Sequence, residues 1–164
     1  MRHALRASLF ALLIFTPLAR GSVQGWAITI IEMITLLALT LFLLEKCMIW
    51  EWKWIKTPLD KPIIALIILS IAAIIFSLHK QTSIRSFTLF SAYLVIFYLI
   101  VNTVRTRSQF RQLIYVIISV AVFLALFGLF KNFGANPFPW WDYVELNYGD
   151  RLMSTFGCPN HLAG

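Results

Sequence analysis

Trp26-Ala-Ile-Thr-Ile-Ile-Glu-Met-Ile-Thr-Leu-Leu-Ala-Leu-Thr-Leu-Phe-Leu-Leu44 carries a single charged side chain, Glu32, among apolar residues and threonines. A helix needs roughly 20 predominantly apolar residues to cross the hydrocarbon core of a bilayer, and this run is that long. It lacks the two-residue alternation of an outer-membrane barrel strand, and such a strand would be only about ten residues long. The run therefore reads as a transmembrane helix. At its depth a carboxylate is costly in lipid, about 2.5–3.5 kcal/mol on insertion scales for the comparable aspartate, so Glu32 must face the bundle or a wet cavity. One reading makes it a proton or cation site of a transporter. The other makes it a near-interface residue hydrogen-bonded to a neighbouring helix, and the lack of a second buried acid to pair with it favours this one.

Working outward, four more apolar stretches follow the same logic: Leu5 to Leu18, Pro62 to Leu78, about Ser86 to Asn102, and Leu113 to Phe130. The first is short and follows Arg2, His3 and Arg6, so it reads either as a signal peptide with Leu9 to Phe15 as its apolar core or as an uncleaved helix. Pro17 and Arg20 stand where small residues should mark cleavage, which favours the uncleaved helix. Arg85 and Arg105 bracket the fourth stretch, where long stems can snorkel to opposite interfaces. The expected fold is all-α, a multi-pass bundle of about five transmembrane helices over residues 1–130, followed by an external segment over 131–164.

Composition supports this. Of 164 residues, 60% are hydrophobic and 13% charged, with a mean hydropathy of +0.80. A soluble domain runs near 45–50% apolar and about 25% charged, so an ordinary soluble enzyme is excluded. The net charge of +7 does not indicate a nucleic-acid partner, because the positive residues lie in short clusters between apolar runs. That pattern sets orientation instead. With a cytoplasmic N-terminus, Arg2, Arg6, Lys46, Lys53, Lys56, Lys61, Arg105, Arg107 and Arg111 fall inside, whereas Arg20, Lys80, Arg85, Lys131 and Arg151 fall outside, which accounts for all 14. The excess inside places the tail after Phe130 outside. Cys47 and Cys158 fit neither a metal spacing nor a disulfide framework.

Between the second and third stretches, Trp50, Trp52 and Trp54 alternate with Glu51 and Lys53. Indoles beside charges suit the headgroup region, and an interfacial anchor is favoured over a carbohydrate-stacking platform. Thr57-Pro58-Leu59-Asp60 reads as a helix start, with a hydroxyl at the cap, proline at the first position and a carboxylate reaching back to the cap N–H.

From Lys131 the composition changes: Gly134, Pro137, Pro139, Trp140 and Trp141 are followed by Asp142, Glu145 and Asp150. The last segment is Arg151-Leu-Met-Ser-Thr-Phe-Gly-Cys-Pro-Asn-His-Leu-Ala-Gly164. Gly157 and Pro159 mark a turn there, and Asn160 is a good cap for a helix starting at His161. This segment resembles the entry motif of the O-antigen ligase and O-antigen polymerase superfamily, of the form R-x-x-x-T-F-x-x-P-N-x-x-A ahead of a membrane helix. Thr57 to Asp60, Ser70, Ser77, Ser83, Arg85 and Asn102 agree more loosely. Where many relatives have a polar residue before the proline, this chain has Cys158.

The resemblance implies an inner-membrane, multi-pass glycosyltransferase of a bacterium. It would take a glycan from a polyprenyl-diphosphate carrier on the periplasmic face and pass it to a lipid A core sugar or a growing glycan. No metal or other cofactor is expected, so arginine must stabilise the diphosphate leaving group. Arg151 matches the motif arginine and Asn160 the motif asparagine, which makes them the implied substrate-binding residues. Read by itself, Arg151 equally suits a pairing with Asp150 or lipid phosphate, and His161 suits a helix start better than a base. Relatives also use an arginine and a histidine in a large later periplasmic loop. That loop is absent here, so residues 1–164 are expected to be an N-terminal fragment that does not transfer glycan alone, with its catalytic base beyond Gly164. The competing expectation is a small transporter subunit or membrane scaffold. A transporter should gather polar residues at the membrane midplane, but the third and fifth stretches hold only Ser70, Ser77 and Ser119 as small polar residues.

Overall fold

The computed structural model describes residues 2–19, 24–50, 54–134 and 154–155. Five helices follow one another, α1 (Arg2–Leu18), α2 (Gly25–Ile49), α3 (Asp60–Phe76), α4 (Lys80–Thr103) and α5 (Arg107–Asn132), and no strand occurs among the described residues. The chain is an all-helical membrane protein. Three helices, α2, α4 and α5, are long and apolar enough to cross a bilayer. The other two, α1 and α3, have 17 residues each. They are about 25 Å long at the helical rise, a little short of a ~30 Å hydrocarbon core.

At several ends the helices outrun the apolar stretches, for local reasons. α5 begins at Arg107 rather than Leu113 because Thr106 and Gln109 form a reciprocal cap. The Gln109 N–H donates to the Thr106 hydroxyl oxygen at 3.3 Å, and the Thr106 N–H donates to Gln109 Oε1 at 3.3 Å. Two donors that a bare helix start leaves unpaired are thereby satisfied. α4 begins at Lys80, so Arg85, expected as a bracket, lies inside the helix with its side chain exposed. α5 stops where Gly134 takes φ +79, a left-handed conformation with no penalty for glycine.

The expected start of α3 is correct in one part and revised in another. Asp60 accepts the Thr57 N–H at 3.1 Å, as the spacing requires. However, the Thr57 hydroxyl donates to the same carboxylate at 2.6 Å instead of capping the helix. Pro58 therefore lies in the turn before α3, and Leu59 takes the cap position.

Around α1 pack α2, α4 and α5, while α2 also packs on α4, and α3 packs on α4. Leu5 and Leu9 of α1, Ala38 and Phe42 of α2, and Leu99 of α4 form the core. The buried stripe of α2 is Ala27, Ile31, Thr35, Ala38 and Phe42. In lipid, apolar side chains gain little by leaving the solvent, so close approach through small residues such as Ala27 and Ala38 contributes the packing attraction. Along α3 only Ile63 is buried. Ile64, Ile68, Leu69 and Ile75 are each more than half exposed, an apolar surface that suits acyl chains and not water.

Candidate functional site

Antiparallel threading brings the start of α1, the end of α2, the start of α3, the end of α4 and the start of α5 to one end of the bundle. There the loop before α3 is tied to α4. Asn102, buried to 4% exposure, accepts the Ile55 N–H at 3.1 Å through Oδ1 and donates through Nδ2 to the Tyr98 carbonyl at 2.8 Å. The Tyr98 hydroxyl donates to Asp60 Oδ1 at 2.9 Å. Asp60 opens α3 ahead of its apolar run, and its carboxyl is held below the ordinary value of 3.8, chiefly by the Thr57 hydroxyl and then by the Thr57 N–H. Trp54 lies between Phe42 and Tyr98, with ring centroids at 6.1 and 5.5 Å. It thus packs on the bundle, whereas Trp50 is largely exposed and ends α2 in a left-handed conformation (φ 56). Trp52 lies outside the described residues.

Beside this network is a cavity of about 260 Å³, lined in part by Arg6, Glu45, Lys46, Thr103, Arg105 and Gln109. Arg105 Nε donates to the Asn102 carbonyl at 3.2 Å, and Lys46 Nζ sits 5.6 Å from the centroid of the Phe42 ring. Arg6 Nε and Thr103 Oγ1 are buried without a hydrogen-bond partner. From the sequence Arg6, Lys46 and Arg105 set orientation, with Arg6 also preceding the first apolar stretch and Arg105 bracketing the fourth. Their positions near the ends of successive antiparallel helices were the available sign that they share one end.

The opposite end is built differently. Ser77 and Ser83 share a hydrogen bond at 2.7 Å, and the His79 N–H donates to Ser77 Oγ at 3.1 Å, which fixes the turn from α3 into α4. A Cβ added to Gly25 would lie 2.9 Å from an Arg85 guanidinium nitrogen, so the arginine rests against the first turn of α2. Most informative is the pair Ser154 and Thr155, at 3% and 5% exposure. Ser154 Oγ donates to the Leu124 carbonyl of α5 at 2.6 Å, and Thr155 Oγ1 donates to the Pro17 carbonyl of α1 at 2.9 Å. Carbonyls in the last turn of a helix have no partner within it, so Thr155 satisfies one that α1 leaves open. The Leu124 oxygen has a second lone pair and can accept from Ser154 without leaving its own helix.

Next to this seat an apolar groove of about 620 Å³ runs between α1, α4 and α5, lined by Leu12, Leu13, Pro17, Ile96, Ile117 and Leu124 among others. Pro17 and Leu124 belong to both features.

Of the residues singled out from the sequence, Arg151, Cys158, Asn160 and His161 lie outside the described residues. Within the tail motif, Thr155 is described and makes the bond to Pro17. The looser matches separate into the two ends, with Thr57, Asp60 and Asn102 at one and Ser77, Ser83 and Arg85 at the other. Ser70 donates to the Leu66 carbonyl one turn back in α3. Glu32 is half-buried, and the expected hydrogen bond to a neighbouring helix is not present among the described residues. No family model, curated protein or solved structure matches the chain.

Proposed function

We propose that this chain is the N-terminal membrane part of a glycosyltransferase resembling the O-antigen ligases and polymerases. It serves transfer of a glycan from a polyprenyl-diphosphate carrier to a lipid A core sugar or a growing glycan, on the periplasmic face of the bacterial inner membrane. The observation that carries the reading is the tail motif from Arg151 to Gly164, whose Ser154 and Thr155 are fastened to α5 and α1. That attachment holds residues 154–155 at the end of the bundle that the positive-residue distribution leads us to expect outside. The apolar groove beside the seat supports the reading further, since a polyprenyl chain needs an apolar surface next to wherever its diphosphate is held. Arg151 stabilises negative charge on the diphosphate as it leaves, a role for which the planar guanidinium fork is suited and a lysine is not. Asn160 completes the substrate-binding pair.

The test is restoration of the surface glycan ladder in a ligase-null or polymerase-null strain by the reading frame that carries this segment. The unchanged frame restores the ladder, Arg151→Lys leaves a small remainder, and Arg151→Ala abolishes it while membrane insertion is retained. A full ladder from Arg151→Ala overturns the role assigned to that residue. Failure of the unchanged frame in both strains overturns the family reading.

A further inference from the structure

The cavity at the N-terminal end of the bundle joins four observations that neither the tail motif nor the transfer reaction uses. Its volume is about 260 Å³, below the ~300–1,000 Å³ of pockets that enclose drug-sized ligands. Its lining carries three cations, Arg6, Lys46 and Arg105, against one carboxylate, Glu45. These cations come from α1, from α2 and from the junction between α4 and α5, so they converge through the packing of the helices and not through a run in sequence. Finally, two donors at this cavity, Arg6 Nε and Thr103 Oγ1, are buried with no hydrogen-bond partner.

A buried guanidinium N–H left unpaired is costly, and an anion that accepts from it removes that cost. Candidate anions are limited by place and size. The cavity lies at the level of the helix ends, where the headgroups of the surrounding leaflet lie, and Leu5, Phe42 and Ile49 provide its apolar part. A tetrahedral phosphate with the first carbons it esterifies matches both halves of that lining. A carboxylate would present fewer oxygens to three cations arriving from different helices. Basic pockets between membrane helices are suited to phosphate headgroups for the same reason.

We propose that this cavity is a phosphate-binding site, with Arg6, Lys46 and Arg105 supplying the charge and Thr103 an additional hydroxyl donor. The phosphate comes either from an anionic phospholipid of the adjoining leaflet or from free inorganic phosphate. Occupancy ties α1 to α2 and to the α4–α5 junction, and so adds a bond between α1 and α5 far from Ser154 and Thr155. The site is independent of the glycosyltransferase reading.

The experiment uses the purified full chain in nanodiscs of phosphatidylcholine, with phosphatidylglycerol added in steps in one arm and inorganic phosphate in the other. Retained lipid is counted by native mass spectrometry, and thermal stability is read by loss of helical circular dichroism. Phosphatidylglycerol should be retained over phosphatidylcholine, and the double variant Arg6→Gln, Arg105→Gln should weaken that retention by about tenfold or more, the effect of losing charge-assisted hydrogen bonds. Arg6→Lys should recover part of the loss, and Lys80→Gln, which removes a cation from the other end, should leave retention unchanged. Circular dichroism of each variant before titration shows that the helices have formed. Stabilisation by millimolar phosphate with no preference for phosphatidylglycerol assigns the site to the soluble ion. Three results overturn the proposal: no preference in either arm, equal retention by the double variant, or a loss for Lys80→Gln as large as for the double variant.

Discussion

The two ends of the bundle use polar atoms in opposite ways. At the N-terminal end they bond to one another across the loop before α3 and α4, through Asn102, Tyr98, Asp60 and Thr57, and beside them remains a cationic cavity. At the far end two hydroxyls from a distant part of the chain attach to helix carbonyls, and beside them runs an apolar groove. Many mutually satisfied bonds make the first end a single cooperative unit. At the second end, residues 154–155 are held by two separate bonds to α5 and α1, and the turn from α3 into α4 by its own bonds among Ser77, His79 and Ser83. One end is thus a single connected network, and the other a set of separate local attachments.

The strongest way to break this comparison is to ask whether the two ends lie on opposite sides of a membrane. Cys47, free and exposed near the end of α2, belongs to the N-terminal end, and Cys158 follows Thr155 closely in sequence. An impermeant maleimide applied to intact spheroplasts should label Cys158 and spare Cys47, an all-or-none difference. Equal labelling of the two would remove the sidedness on which the comparison rests.

A smaller effect tests the cooperative unit. Asn102→Leu leaves the Ile55 N–H without its acceptor and the Tyr98 carbonyl without its extra donor. Ile55 is 37% exposed, so the loss is that of two part-buried hydrogen bonds, about 1–3 kcal/mol together at most, and unfolding in detergent should shift by that amount, with the whole transition moving together. An unchanged midpoint would mean that the network does not hold α3 and α4 in place.

The smallest effect is expected at the far end. Thr155→Val keeps the side-chain shape and deletes the bond to the Pro17 carbonyl, worth about 0.5–1.5 kcal/mol. The loss should be local: amide exchange around residues 154–155 should accelerate several-fold, whereas global unfolding moves by less than about 0.5 kcal/mol. A global shift as large as that of Asn102→Leu would erase the distinction between the two ends.

What could be read from the sequence follows from how far each bond reaches. The helices were visible because a bilayer demands long apolar runs whatever their neighbours. The Thr57–Asp60 contact was visible because both partners sit in one turn. Asn102 with Ile55, Tyr98 with Asp60 and Thr155 with Pro17 are separated by 47, 38 and 138 residues, and no local pattern says which helices will be neighbours. The same limit hid the convergence of Arg6, Lys46 and Arg105, although their charges were counted correctly. For Glu32 the expectation assumed a partner on a neighbouring helix, and none is present among the described residues.

The apolar lengths of neighbouring helices bear on the membrane itself. α3 has 17 residues, and the apolar stretch of α4 from Ser86 to Asn102 is no longer, because α4 opens with Lys80, Gln81, Thr82 and Ser83. At the helical rise each covers about 25 Å, short of a ~30 Å hydrocarbon core. Thinning a bilayer to meet them costs fractions of a kcal/mol for each ångström of mismatch. A thinner host membrane lowers that cost and a thicker one raises it, so bilayer thickness acts on α3 and α4 as a pair.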